Sequence, residues 1–125
     1  MRTSKIAALG LAVALVFLSF LSLPSAVLAG GNAEEGKKVV DTKSLGNCAA
    51  CHVVPGMEFP GDVGPNLIEA MQNYSEKDRD LLRQRIWDER QFNPDTIMPP
   101  FGANKILTSQ QVDDVVEYLM GLKKK

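Results

Sequence analysis

The feature that most constrains this chain is the pentapeptide Cys48-Ala49-Ala50-Cys51-His52. It contains both cysteines and the only histidine among the 125 residues. Any chemistry that needs a thiol or an imidazole must therefore take place at this one segment.

Three kinds of site use cysteines at this spacing. A thioredoxin-like redox pair needs a βαβ context, and the neighbouring residues show no strand pattern. A structural zinc ion needs four ligands, and two thiols and one imidazole leave that set incomplete. Cys-x-x-Cys-His is the pattern of covalent haem attachment, which the sequence therefore favours. A chance motif carrying a structural disulfide is the remaining alternative.

The spacing of these residues suits a haem. Side chains at i, i+3 and i+4 share one face of a helical turn. Cys48 and Cys51 can therefore each bind one vinyl group, while His52 places a ring nitrogen on the iron. Aromatic residues make up only 6% of the chain, so a porphyrin would supply much of the core. We therefore expect the chain without haem to fold poorly.

The second axial ligand decides what a haem can do here. With one histidine, bis-histidine ligation is excluded, and methionine, lysine, tyrosine, water or an open position remain. Met57 is only five residues after His52, too close to cross the haem plane. Met71 and Met120 lie in helix-like stretches, where methionine usually fills gaps in the core.

Met98 lies in a different setting. Pro99 follows it and restricts it to an extended conformation, which indicates a stiff loop displaying the thioether. The sequence favours Met98 as the iron ligand over a loop methionine that packs on the core. His/Met ligation is an electron-transfer arrangement, because both axial positions are filled and no substrate can bind the iron.

The N-terminal segment 1–29 has the pattern of a signal peptide. A positive start precedes an apolar run from Ile6 to Leu23, and Val27 and Ala29 suit cleavage after Ala29. An uncleaved membrane anchor is the alternative. Cleavage leaves a periplasmic domain, 30–125, with no membrane attachment and a formal charge of −3, from 12 basic and 15 acidic side chains. This charge gives no basic surface for nucleic acid.

The remaining pattern predicts an all-α domain. We expect a first helix from Asn32 to Leu45, a helical turn over 48–52, a loop from Val53 to Pro65 and a short helix from Asn66 to Asn73. Capping pairs start two further helices, Ser75 with Asp78 and Thr108 with Gln111. Apolar side chains with helical spacing are predicted to face inward: Leu81, Leu82 and Ile86, then Val112, Val115, Val116 and Leu119.

Several residues have two open interpretations. Gly36 indicates either close helix contact or a tolerated weakness. Pro65 either places a nearby backbone carbonyl to accept a hydrogen bond from His52 or belongs to an ordinary turn. Trp87 and one of the outward-facing arginines are candidates for a haem propionate, although solvated surface is the commoner role; those arginines are Arg79, Arg83 and Arg90. The terminal lysines 123–125 suit a helix C-terminus or an acidic partner.

A set of longer motifs resembles class I cytochromes c, specifically the SoxX type of periplasmic sulfur oxidation. The resemblance spans nearly all of the chain after the signal segment. The haem motif is common to c-type cytochromes, and the stretch ending in Met-Pro-Pro-Phe-Gly is more specific. The matching segments are Gly46–His52, Gly64–Leu67, Pro94–Gly102, Ile106–Thr108 and Asp114–Leu119.

The resemblance implies a class I cytochrome c fold and one covalently attached haem c. It implies thioether bonds at Cys48 and Cys51, axial ligands at His52 and Met98, and Pro65 orienting the histidine. It also implies a SoxA-like cytochrome partner and a downstream electron acceptor. With that partner the chain would form a SoxAX complex, which joins thiosulfate oxidatively to a cysteine of a SoxY-type carrier. This chain has no third cysteine, so the sulfur chemistry is expected on the partner. A free monohaem shuttle between other redox complexes is the alternative function.

Overall fold

The computed structural model describes residues 30–122, and within that range the chain forms helices and turns without a β-strand. The all-α prediction is therefore confirmed. No helix between residues 30 and 122 has the length and apolar character needed to cross a bilayer. The α-helices are α1 Ala33–Asp41, α2 Leu67–Ala70, α3 Arg79–Asp88 and α4 Ser109–Met120, and short 3₁₀ turns cover Cys48–Ala50, Met71–Asn73, Glu76–Asp78 and Glu89–Gln91.

Two predicted features lie outside the described residues. These are the signal segment 1–29 and the terminal lysines 123–125. The division of the chain into a signal, 1–29, and a mature domain, 30–125, stays a prediction.

The helix starts follow the capping residues seen in the sequence. The Asn32 side chain accepts hydrogen bonds from the backbone N–H groups of Glu34 and Glu35. Thr108 and Gln111 form the predicted capping box of α4. Ser75 and Asp78 form a second box, although a 3₁₀ turn precedes α3 there. Capping satisfies N–H groups that have no partner inside the helix, so these short motifs fix where each helix begins.

The first helix is shorter than predicted, because it ends at Asp41 and not at Leu45. Thr42 has an extended backbone, and Asn47 adopts a left-handed conformation with φ of 47°. Gly46 donates its N–H to the Val39 carbonyl at 3.1 Å. The chain therefore turns back against α1 within five residues, and this turn brings the partly buried Cys48 against the core.

Helices α1 and α4 cross at Gly36, so the close-contact interpretation of this glycine is confirmed. A Cβ atom at Gly36 would lie 2.0 Å from the Asp114 carbonyl oxygen. The crossing is further held by the buried Asp114 side chain, which accepts hydrogen bonds from the Asn32 N–H at 2.7 Å and from Gln110 at 2.9 Å. Around the crossing, the two helices bury Val39, Val40, Val112, Val115, Val116 and Leu119.

We expect Gly36→Ala to lower the free energy of unfolding of the protein by about 3 kcal/mol, since backbone atoms cannot yield to the added methyl group without separating the helices. Thermal melts followed by circular dichroism measure the change. Gly121→Ala is the matched control, because the nearest atom to its Cβ is 3.2 Å away. Equal effects of the two substitutions would contradict the tight crossing.

Helix α3 faces the core with two of the three predicted apolar residues. Leu82 and Ile86 are buried. The prediction for Leu81 is wrong, because its side chain is exposed on the adjacent face of the helix. One residue corresponds to a rotation of about 100° around a helix, so Leu81 and Leu82 cannot both point to the same core.

The prediction that Arg79, Arg83 and Arg90 face water is wrong for the first two. Arg79 pairs with Glu117 at 2.6 Å, and Arg83 pairs with Asp113 at 2.6 Å. These bridges join α3 to α4 and leave each side chain about one-third exposed. Arg90 is exposed as predicted and pairs with Asp88 nearby in the chain.

Candidate functional site

All four predicted site residues line one cavity of about 720 Å³. Cys48, Cys51 and His52 come from the turn after α1, and Met98 comes from the loop before α4. The volume lies within the range of small-molecule sites, about 300–1,000 Å³. The structure therefore gathers residues that are up to 50 positions apart around one ligand-sized space.

The cysteine segment forms one tight helical turn. The N–H groups of Cys51 and His52 both donate to the Cys48 carbonyl, at 3.1 and 2.9 Å. This turn presents both thiols and the imidazole to the cavity, as their spacing predicts. The two cysteines are not joined in a disulfide, and burial raises the pKa of the Cys48 thiol of the bare chain to about 11.

His52 is held in one orientation by the loop that follows it. Its Nδ1 lies 2.7 Å from the Pro65 carbonyl oxygen, so of the two interpretations of Pro65 the structure has the hydrogen bond. Because a carbonyl only accepts, Nδ1 carries the proton and Nε2 keeps its lone pair for a metal. Gly64 packs on the ring, where a Cβ atom would lie 2.4 Å from Cε1.

Met98 lies in a loop with its own hydrogen bonds. The Thr96 hydroxyl accepts the N–H of Met98 at 3.1 Å, and the Asn93 carbonyl accepts the N–H of Thr96 at 3.1 Å. Met98 is half-buried and packs against the core. Its loop conformation agrees with the sequence interpretation, since Pro99 follows directly.

Met71 is a second methionine that lines the cavity. It is 2% exposed, so its predicted role in the core is confirmed. Because Met71 is a methionine at the same cavity, its substitution is the control for the assignment of Met98 as iron ligand.

Arg85 is a cavity residue that the sequence interpretation missed. Its Nη1 pairs with Glu89 at 2.7 Å, and its guanidinium lies 4.6 Å from the centre of the Phe92 ring. Its Nε is buried without a hydrogen-bond partner among residues 30–122. A buried donor of this kind calls for an acceptor, which a carboxylate group of a ligand would supply.

Trp87 packs between the loop before α4 and Arg83, and its role toward a haem propionate stays a prediction. A Cβ atom at Gly102 would lie 2.1 Å from its ring, and the Arg83 guanidinium lies 5.2 Å from the ring centre.

The sequence did contain a signal for Arg85. Arg85 is three residues after Leu82 and four before Glu89, so helical spacing places all three on the face that lines the cavity.

The donor set of this cavity fits a haem. Two free thiols suit the two vinyl groups, and an oriented imidazole and a thioether suit the iron. The unpartnered Nε–H of Arg85 suits an acidic substituent. Apolar lining side chains, among them Leu67, Ile86 and Leu119, suit the flat face of a porphyrin.

Comparison with known proteins decides the family. The family model described as cytochrome c matches residues 33–123. This chain belongs to the cytochrome c family. The Cys-x-x-Cys-His segment within that domain accordingly marks one covalently bound haem c.

Two known proteins resemble this cytochrome. A chain in the crystal structure of SoxXA from P. pantotrophus is 33% identical, with a TM-score of 0.66 over 77% of this chain and 85% of that one. This similarity supports the SoxX-type class I resemblance. An uncharacterized lipoprotein of Aquifex aeolicus (strain VF5) is 34% identical over 87 residues, 67% of this chain. The aligned region spans only 39% of that protein's length.

Proposed function

We propose that this cytochrome is a SoxX-like electron-transfer subunit with His52 and Met98 as axial iron ligands. In this role it accepts electrons within a SoxAX complex while thiosulfate is coupled to the cysteine of a SoxY-type carrier. The observation that carries the proposal is that one cavity is lined by Cys48, Cys51, His52 and Met98. The similarity to the SoxXA chain supports the choice of complex.

Each of the four site residues would contact the cofactor in a different way. Cys48 and Cys51 would bind it covalently, and His52, oriented by Pro65, would offer Nε2 to the iron. Met98 would offer its sulfur from the opposite loop. When bound, the haem supplies reversible one-electron storage. With His52 and Met98 both bound to the iron, oxygen and sulfur compounds would find no site there, so the role of the chain would be to exchange electrons.

The sulfur chemistry belongs to the partner in this proposal. Joining thiosulfate to a carrier thiol releases two electrons and one proton, and a single haem accepts one electron at a time. A downstream acceptor must therefore remove the first electron before this haem takes the second. Neither cysteine of the chain is free for the sulfur step, because both would be used in thioether bonds.

We propose export to the periplasm through the signal segment 1–29. N-terminal sequencing of the exported protein tests this, and we expect it to begin at Gly30. A protein that begins at Met1 would contradict cleavage and would favour the anchor.

The experiment that tests the SoxAX role is co-expression with a SoxA-like cytochrome, followed by size exclusion. We expect one peak that contains both chains and more than one haem. A monomeric cytochrome that never joins such a partner, and that reduces a terminal oxidase, would favour the free-shuttle function.

Arg85 is expected to raise the reduction potential, because a positive charge beside the cavity favours the reduced state of the iron. Arg85→Gln should lower the potential by roughly tens of millivolts, where 59 mV corresponds to a tenfold change in a one-electron equilibrium. Arg90→Gln is the control, since it removes the same charge from an exposed side chain paired with Asp88. Equal potentials of the two variants in redox titrations would contradict this role for Arg85.

A further inference from the structure

Trp87, the only tryptophan in the sequence, fastens the segment that follows Met98 to helix α3. The N–H groups of Gly102 and Ala103 both donate to the Trp87 carbonyl, at 3.1 and 3.2 Å. This carbonyl lies in the last turn of α3, where backbone carbonyls have no partner inside the helix. The loop therefore completes the C-terminal end of α3 by a contact only four residues after Met98.

The Trp87 side chain holds the same segment by packing. A Cβ atom at Gly102 would lie 2.1 Å from Cδ2 of the indole, so the Gly102 backbone is in direct contact with the ring. The Arg83 guanidinium lies 5.2 Å from the ring centre. Arg83 also donates to Asp113 at 2.6 Å and to Ser109 at 2.8 Å, both on α4. The indole is therefore held on Gly102 by an arginine that is itself fixed to a second helix.

Two prolines connect Met98 to these contacts, and we call the contacts of Trp87 with Gly102 and Ala103 the tryptophan clamp. Pro99 and Pro100 have fixed φ angles, so the connection is stiff and a displacement of Gly102 is transmitted to Met98. Met98 lines the cavity, whereas Trp87 is not a lining residue within the described range 30–122. Any effect of the indole on the cavity therefore passes through the loop.

We propose that Trp87 is a positioning residue for Met98, and that the tryptophan clamp sets how rarely the Met98 sulfur leaves the iron. Groups that contact a metal ligand only indirectly still fix its orientation. A loop opens locally with its own free energy, which can be much smaller than that of global unfolding, and the clamp adds contacts that must break first. This inference rests on the proposed ligation by His52 and Met98 and adds the residue that keeps the second ligand in place.

Displacement of Met98 by imidazole measures the opening of this loop. Imidazole binds the oxidised iron of the holo-protein through a ring nitrogen after the Met98 sulfur has left, with no change of oxidation state. At saturating imidazole, the rate observed in a stopped-flow instrument therefore approaches the rate of loop opening. We expect Trp87→Leu and Gly102→Ala to raise this limiting rate about tenfold. The first variant removes the ring, and the second forces a methyl group against it.

Trp87→Phe tests whether the ring contact itself is responsible. A phenylalanine ring keeps part of the surface that packs on Gly102, so we expect a limiting rate between those of Trp87→Leu and the wild type. If Trp87→Leu does not retain haem, Gly102→Ala and Trp87→Phe decide the question, because both keep an aromatic ring at this position. Limiting rates equal to that of the wild type in these variants would overturn the proposal.

The control for general destabilisation is Gly36→Ala, which strains the crossing of α1 and α4 and leaves the tryptophan clamp intact. Thermal melts measure the global stability of each variant beside its imidazole reaction. We expect Gly36→Ala to lower global stability but to change the limiting rate less than about twofold. An acceleration in Gly36→Ala equal to that in Trp87→Leu would mean that overall stability governs the opening, which would overturn the role of Trp87.

Failure of this inference is distinguishable from failure of the proposed ligation. A wild-type protein whose oxidised spectrum lacks the sulfur-to-iron charge-transfer band would contradict Met98 as the ligand. A wild-type protein that has this band, with Trp87 and Gly102 variants that react with imidazole at the wild-type limiting rate, would overturn only the tryptophan clamp.

Discussion

Substitution of Met98 by alanine is expected to abolish the sulfur-to-iron charge-transfer band near the red end of the oxidised spectrum. The same change should lower the reduction potential by roughly 0.1–0.3 V, a fraction of the range of about 0.8 V that axial ligands span. The physical reason is that a soft thioether stabilises ferrous iron, and water or hydroxide in its place does not. Absorption spectra and redox titrations of the purified holo-protein give both quantities.

The control for this prediction is Met71→Leu. Met71 is a buried methionine that lines the same cavity, so its loss tests packing without loss of the proposed ligand. We expect the band to survive and the potential to change little. A band that persists in Met98→Ala and disappears in Met71→Leu would transfer the ligand role to Met71.

Removal of both attachment thiols, Cys48→Ala/Cys51→Ala, is expected to leave a chain that neither retains haem after denaturation nor folds cooperatively. The cavity occupies about 720 Å³ inside a domain of fewer than 100 residues. Without the cofactor, the apolar side chains that line this cavity face water and lose their packing partner, in a domain whose entire free energy of unfolding is about 5–15 kcal/mol. Without the cofactor, the helices around the cavity therefore lose their common core.

Far-UV circular dichroism and thermal melts measure this effect against the wild-type holo-protein. The single variant Cys48→Ala is the control, because one thioether bond and the His52 ligand should keep the haem and most of the helix content. A double variant that is colourless, natively helical and cooperative in its melt would contradict the claim that the haem forms the core.

Local interactions account for the features that the sequence predicted well. The starts of α1 and α4 depend on capping contacts of Asn32 and Thr108 with residues two or three positions ahead. The cysteine turn depends on the spacing of three residues, and the hydrogen bond between His52 and Pro65 closes a loop rich in glycine and proline. Such contacts are encoded in neighbouring residues, so they can be recognised without the fold.

The features that the sequence interpretation missed depend on contacts between distant segments. Arg79 and Arg83 pair with partners on α4 that are 38 and 30 positions away. Arg85 pairs locally with Glu89, and its helical spacing from Leu82 indicated the face it occupies, but the cavity it lines is formed by distant segments. Gly36 left two interpretations open because the backbone of Asp114, which decides between them, is far away in the chain.

The intact mass of the exported protein, measured after denaturation, tests the central claim most directly. We expect a coloured protein whose mass exceeds that of its polypeptide by one haem, and whose colour stays with the chain in denaturant. A colourless protein, or a mass equal to that of the bare polypeptide, would contradict covalent attachment at Cys48 and Cys51 and the electron-transfer function built on it.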